Sequence, residues 1–317
     1  MKRRIRWSPS KPTAEKFRPP GHRPCAFSTP EIFLSSGWPT VPYDARIMQT
    51  TANLWDVLCR DLEDKRSDSS RDQHRAAAEQ FREAALQVFR PESPRLSDAL
   101  EISGDVCQAS GFFDDAIRDF EDSLKHNLRN NNVIAAARVS AKMALLLDHM
   151  EKSTRAKECY LRALELFSAS HDLGQHFMLL SNLGALEKRT GHRNEAIRRY
   201  AEAVELSMKL YGEVHPQVAL ACSNLGVAYM EAHDWIHAEN EYMRALGIHE
   251  KLYGAMSPDV AQGLANLAVL YHSSGNVPKA EAFYQAALKT YAAFLSPDDP
   301  VVLEVQKNHK SLQNSRK

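Results

Sequence analysis

The sequence predicts an all-α solenoid of stacked helical hairpins, and three observations carry that prediction. A small residue, an aromatic four positions later and a second small residue three beyond it recur along the chain: Ala116/Phe120/Ser123, Ala156/Tyr160/Ala163, Ala196/Tyr200/Ala203, Ala238/Tyr242/Ala245 and Ala280/Tyr284/Ala287. The leading alanines lie 40, 40, 42 and 42 residues apart, and twelve residues before each stands another small residue: Gly104, Ala144, Gly184, Gly226 or Ala268. Few segments read as strands, while 317 residues with 44% hydrophobic and 25% charged side chains suffice for a substantial core. Positions four and seven apart share one helix face, so each stripe wedges an aromatic ring against a neighbouring helix while the small residues allow close approach. One hairpin cannot bury that face; a stack can. A bundle of unrelated amphipathic helices would not hold one phase through five units.

Taken in order, residues 1–47 differ in kind from the rest. They hold eight of the fifteen prolines and nine Lys/Arg against three Asp/Glu, leaving 31 against 37 for the remainder. Such a basic, proline-rich arm cannot assemble a packed core and is expected to be disordered. Its readings are a basic anchor, a transit segment, or an over-extended start preceding Met48, the last being preferred. Residues 48–95 are expected to form a divergent helical hairpin, with helices near 50–66 and 72–89: Trp55, Leu58 and Leu62 stripe the first, and Ala77, Phe81 and Ala84 repeat the signature in the second. Residues 96–299 hold the five hairpins. Residues 300–317 give a C-terminal capping helix and tail, because His309 and Ser311 stand where apolar residues would feed another hairpin.

The array resembles the tetratricopeptide repeat, which implies a right-handed superhelix. From residue 211 the likeness narrows. Tyr211-Gly212, His215-Pro216-Gln217-Val218-Ala219 and Ser223-Asn224-Leu225-Gly226 return 42 residues later as Tyr253-Gly254, Ser257-Pro258-Asp259-Val260-Ala261 and Ala265-Asn266-Leu267-Ala268. The pattern starts a third time at Ser296-Pro297-Asp298-Asp299-Pro300. These segments resemble the 42-residue repeats of kinesin light chains. Each proline suits the first turn of a helix, where a missing amide hydrogen costs nothing. In the second repeat Glu151 takes the place of the turn glycines Gly111, Gly191 and Gly275.

The functional signal is a ladder of amides. Asn182, Asn224 and Asn266 occupy one register position in three consecutive first helices, each just before a buried-type leucine. In tetratricopeptide arrays the first helices line the concave surface, and an amide there can hold an extended peptide backbone from both sides. Asparagine inside a helix is otherwise unfavourable by roughly half a kcal/mol. The alternative is that these amides satisfy neighbouring helix polar groups. The same register directs Arg138, Lys142, Lys188 and Arg189 toward the groove, a sign that favours an acidic ligand or a C-terminal carboxylate.

Catalysis finds little support. The phosphate-loop, dinucleotide and HExxH patterns are absent from the sequence, and the pair His233/His237 reads as ordinary surface. No catalytic residue, metal site or cofactor is expected. Five scattered cysteines without a CxxC pair point to a reducing cytoplasm, and no apolar run reaches the length needed to cross a bilayer. The expected function is a protein-binding scaffold or adaptor. The kinesin-light-chain resemblance implies cargo or cytoskeletal association, with motor subunits or a tubulin-like filament as partners. A peptide-sensing regulator, and a nucleic-acid-associated protein acting through the basic arm, are the other classes.

Overall fold

A computed structural model describes residues 71–168 and 173–314, all within the unit Trp55–Lys317. The described residues form twelve α-helices: α1 (Arg71–Val88), α2 (Pro94–Ala109), α3 (Phe113–Arg129), α4 (Val133–His149), α5 (Ser153–Ser168), α6 (Leu173–Arg189), α7 (Arg193–Tyr211), α8 (Pro216–Glu231), α9 (Trp235–Tyr253), α10 (Pro258–Ser273), α11 (Val277–Tyr291) and α12 (Pro300–Asn314). Residues 1–47 and the helix expected near 50–66 lie outside the described residues, whereas the helix expected near 72–89 corresponds to α1. The pairs α2/α3, α4/α5, α6/α7, α8/α9 and α10/α11 are the five hairpins, and each second helix packs on the first helix of the next unit. The fold is an all-α tetratricopeptide-type solenoid.

The aromatic wedges explain the stacking. Phe120, Tyr160, Tyr242 and Tyr284 are fully buried, with Tyr200 nearly so, and the alanines that flank them are inaccessible to solvent. At Gly226 the close approach is measurable: a Cβ there would lie 2.8 Å from the Tyr242 ring, so the glycine lets the two helices of that hairpin close on the aromatic. Burying rings of this size against apolar neighbours stabilises each unit by about 2–3 kcal/mol per side chain.

Helix starts follow the local chemistry. His215 Nδ1 accepts from the amide of Gln217 at 3.2 Å, Ser257 Oγ accepts from the amide of Val260 at 3.2 Å, and Asp299 Oδ1 accepts from the amide of Val301 at 2.9 Å. Each cap sits immediately before Pro216, Pro258 or Pro300, so proline and cap divide the free amides of the first turn between them. Gly254 ends α9 at φ 79° and ψ 168°, a backbone region that is almost glycine-only.

At the C-terminal end α12 lies on α11 and touches α10. Val302, Val305 and Leu312 are buried, and His309 Nε2 pairs with Glu281 at 2.9 Å. Cys107, Cys159 and Cys222 are buried free thiols, and burial pushes Cys107 and Cys222 up to about 12. At neutral pH both therefore remain protonated and behave as small apolar side chains.

Candidate functional site

Five first helices repeat one face in register. Three positions per helix form its rows: Asp98, Ile102 and Asp105 on α2; Arg138, Lys142 and Leu145 on α4; Met178, Asn182 and Ala185 on α6; Leu220, Asn224 and Val227 on α8; Gln262, Asn266 and Val269 on α10. Offsets of four and then three residues keep each trio on one side of its helix. Successive first helices also touch directly, α6 with α8.

The three asparagines are in different states. Asn182 and Asn224 are half-buried and make no side-chain hydrogen bond among the described residues. Asn266 is buried, 7% exposed, and its Oδ1 accepts from Gln262 Nε2 at 3.1 Å. Gln262 Oε1 in turn accepts from the Tyr291 hydroxyl at 3.1 Å. The amide atoms of Asn182 and Asn224 still reach solvent, so they can exchange water for the donors and acceptors of a ligand.

All four cations singled out by the sequence stand opposite carboxylates of a neighbouring repeat. Arg138 donates from Nε and Nη2 to the two oxygens of Glu101, at 2.9 and 2.8 Å. Lys142 Nζ lies 2.8 Å from Glu101 and 2.7 Å from Asp105, and 5.8 Å over the Phe120 ring. Arg189 pairs with Asp148, and Lys188 Nζ lies 3.5 Å from Glu231. Burial pushes the Glu101 carboxyl up, but the hydrogen bond from Arg138 and the charge of Lys142 outweigh it and hold the group below the ordinary glutamate range. Burial pushes Asp105 up, with Lys142 opposing.

A second charged constellation was not singled out in the sequence. Glu187 on α6 is 1% exposed, with Lys157 Nζ of α5 at 3.0 Å and Arg199 Nε of α7 at 3.9 Å. Its position in the repeat is that of Leu147 and Tyr229, which was the available signal: a carboxylate at an otherwise apolar place. In the first repeat Asp119, also fully buried, accepts from Ser103 Oγ at 2.6 Å and pairs with Arg82 and Arg118 at 3.0 Å. These sites join helices to one another. His237 pairs with Asp234 and stacks on Tyr229 at 5.1 Å. Among the described residues no group of His, Cys, Asp or Glu could hold a metal ion, and no helix is long and apolar enough to cross a membrane.

Comparison with known proteins agrees with this geometry. The tetratricopeptide-repeat family model matches residues 175–251 and 217–293. No curated protein sequence matches the chain. Among solved structures, BtubC (BKLC) from P. vanneervenii is 27% identical with a TM-score of 0.56, covering 73% of this chain and 95% of its own. A Podosopora anserina structure named for kinesin light chain, with nearly identical TPR-like repeats, is 14% identical at a TM-score of 0.56 and covers 64% of this chain and 98% of its own. YrrB, described as a TPR protein with an unusual peptide-binding site, is 17% identical at a TM-score of 0.50, covering 73% and 99%. Residues 175–293 thus match the tetratricopeptide-repeat family, and the described helices share the fold of solved tetratricopeptide-repeat solenoids, among them repeats named for kinesin light chain.

Proposed function

We propose that the chain is a non-enzymatic scaffold that holds an extended segment of a partner protein along the face of its first helices. The observation that carries this reading is the pair Asn182 and Asn224, two half-buried amides in one register that lack hydrogen-bond partners among the described residues while their charged neighbours are paired. A side-chain amide offers one acceptor and two donors, so two of them one repeat apart can hold a peptide main chain without choosing its side chains. Asn266 is a weaker contributor on this reading, because its acceptor is already used by Gln262. Arg138, Lys142, Lys188 and Arg189 line the same surface, and an acidic partner would gain from them by displacing Glu101, Asp105, Asp148 and Glu231. With those carboxylates in place, the cations act first as staples between successive repeats.

The finer reading is association with a cytoskeletal filament or with cargo. It is supported by the 42-residue repeat pattern and by the likeness to BtubC (BKLC) and to the kinesin-light-chain-named repeats. The test is affinity capture from native cytosol with the full chain, read by mass spectrometry beside Asn182→Ala/Asn224→Ala and a separate Asn266→Ala. Helicity by circular dichroism checks that both variants fold. The expected outcome is loss of partners with the double variant and their retention with Asn266→Ala, with tubulin-like or motor subunits among those lost. Identical partner sets for wild type and double variant would sink the groove reading.

A further inference from the structure

We infer that Gln262 closes the binding face at the fifth repeat. Tied back by Tyr291, its side-chain amide occupies Asn266 where a partner's main chain would otherwise bind. A bound segment therefore meets two amides, Asn182 and Asn224, although three successive repeats carry one each. This rests on the groove reading above and adds what limits the length of the grip. The contacts form a relay: the Tyr291 hydroxyl of α11 donates to Gln262 Oε1 at 3.1 Å, and Gln262 Nε2 donates to Asn266 Oδ1 at 3.1 Å. A carboxamide carries the same N–H donor and carbonyl acceptor as a peptide unit, so Gln262 makes to Asn266 the bond that a peptide N–H would make.

The sister repeats stack without this closure. The position of Gln262 is held by Leu220 in the fourth repeat and by Met178 in the third, and that of Tyr291 by His249 and Ser207. Leu220 and Met178 have no hydrogen to donate to the asparagine one turn on. There Asn224 and Asn182 stay half-buried and make no side-chain hydrogen bond among the described residues, whereas Asn266 sinks to 7% exposure. One register position is thus open in two repeats and shut in the next, and the relay is what differs.

Its far end is firm and its near end is not. Tyr291 is 2% exposed, and burial, helped by the charges of Asp259 and Asp299, pushes its hydroxyl above the ordinary tyrosine range. It therefore remains a donor at neutral pH. Gln262 is half-buried, so its amide can turn to solvent once Tyr291 no longer holds it. One neutral hydrogen bond gained or lost changes an affinity by about two- to tenfold, so the relay tunes the grip.

The probe is a random phage library of peptides about a dozen residues long, which reach about 40 Å when extended, selected on the full chain. Peptides whose binding is lost with Asn182→Ala/Asn224→Ala are synthesised with fluorescein and measured by fluorescence anisotropy. Gln262→Leu/Tyr291→Phe places at both positions residues that the chain already uses there, Leu220 and Phe167. It should tighten binding about three- to tenfold at unchanged helicity, and Tyr291→Phe alone should give part of that gain. Asn266→Ala should leave the wild type within about twofold and cancel the gain when added to the double variant. Unchanged or weaker binding by Gln262→Leu/Tyr291→Phe overturns the inference. A gain that survives Asn266→Ala does so too, because it would come from the added leucine. The two readings separate at the selection step. If no selected peptide depends on Asn182 and Asn224, the groove reading falls and this inference with it. Peptides that depend on both but bind the relay variants no better would leave the groove standing and remove the closure.

Discussion

Glu151 stands at φ 59° in the turn between α4 and α5, where Gly111, Gly191 and Gly275 hold φ 83°, 86° and 83° in sister repeats. A residue with a Cβ pays about 1–2 kcal/mol in that left-handed region, and glycine does not. Glycine's extra freedom in the unfolded chain returns part of the gain. Glu151→Gly is therefore expected to stabilise the protein by about 0.5–1 kcal/mol, seen as a higher urea midpoint at an unchanged slope. A lower midpoint would mean that the side chain contributes a contact not visible in its exposed position. His233 has the same turn geometry at φ 61°, but its ring packs against Trp235 at 5.2 Å, so the exchange there should gain less. The substitution of glutamate for a turn glycine is legible in the sequence because the repeat supplies its own reference. The value of that reference is that it names the conformation as well as the residue.

At the scale of elements, successive first helices are tied by charge. Arg138 and Lys142 of α4 grip Glu101 and Asp105 of α2, and the Glu101 carboxyl is held below its ordinary range. A depressed carboxylate contributes stability above its unfolded pKa and loses it as pH falls through the folded value. Asp98 and Asp105, raised by burial, have the opposite sign and become less costly as they protonate. Glu101→Gln should thus lower Tm at neutral pH and flatten its decline in acid, measured by thermal melts across the acid range. A parallel downward shift at every pH would show that the charge of Glu101 is not what ties α2 to α4. The helices themselves were readable: small/aromatic/small stripes gave the second helices, and prolines after His215, Ser257 and Asp299 gave the starts of two first helices and of the capping helix. The ion pairs were not, because their partners lie about one repeat away in sequence and meet only once the repeats stack. The asparagine register was also readable, whereas the bond from Gln262 to Asn266 depends on a residue of α11, Tyr291, whose hydroxyl holds Gln262 in turn.

For the whole molecule, a solenoid is stabilised by its units and by the interfaces between nearest neighbours, so one altered interface weakens the array at one place. Glu187 marks such a place, since it is buried where the second repeat meets the third and is flanked by Lys157 of α5 and Arg199 of α7. Removing one partner of a buried pair strands the other charge, at a cost of about 3–5 kcal/mol, whereas replacing the pair by fitting apolar residues is often neutral. The second repeat already contains the apolar solution, with Leu147 and Cys159 at the equivalent positions. Glu187→Leu alone should therefore destabilise by about 3 kcal/mol, and Glu187→Leu with Arg199→Cys should return to within about 1 kcal/mol of the wild type. Urea denaturation of the two variants measures that coupling. Hydrogen exchange locates it, with protection in the single variant lost first in α5, α6 and α7 and retained in α9 to α12, because those helices keep their own neighbours. Equal destabilisation of the single and double variants would mean that Lys157 rather than Arg199 is the charge that needs Glu187. Uniform loss of protection along the chain would mean that the array unfolds as one unit rather than through its interfaces.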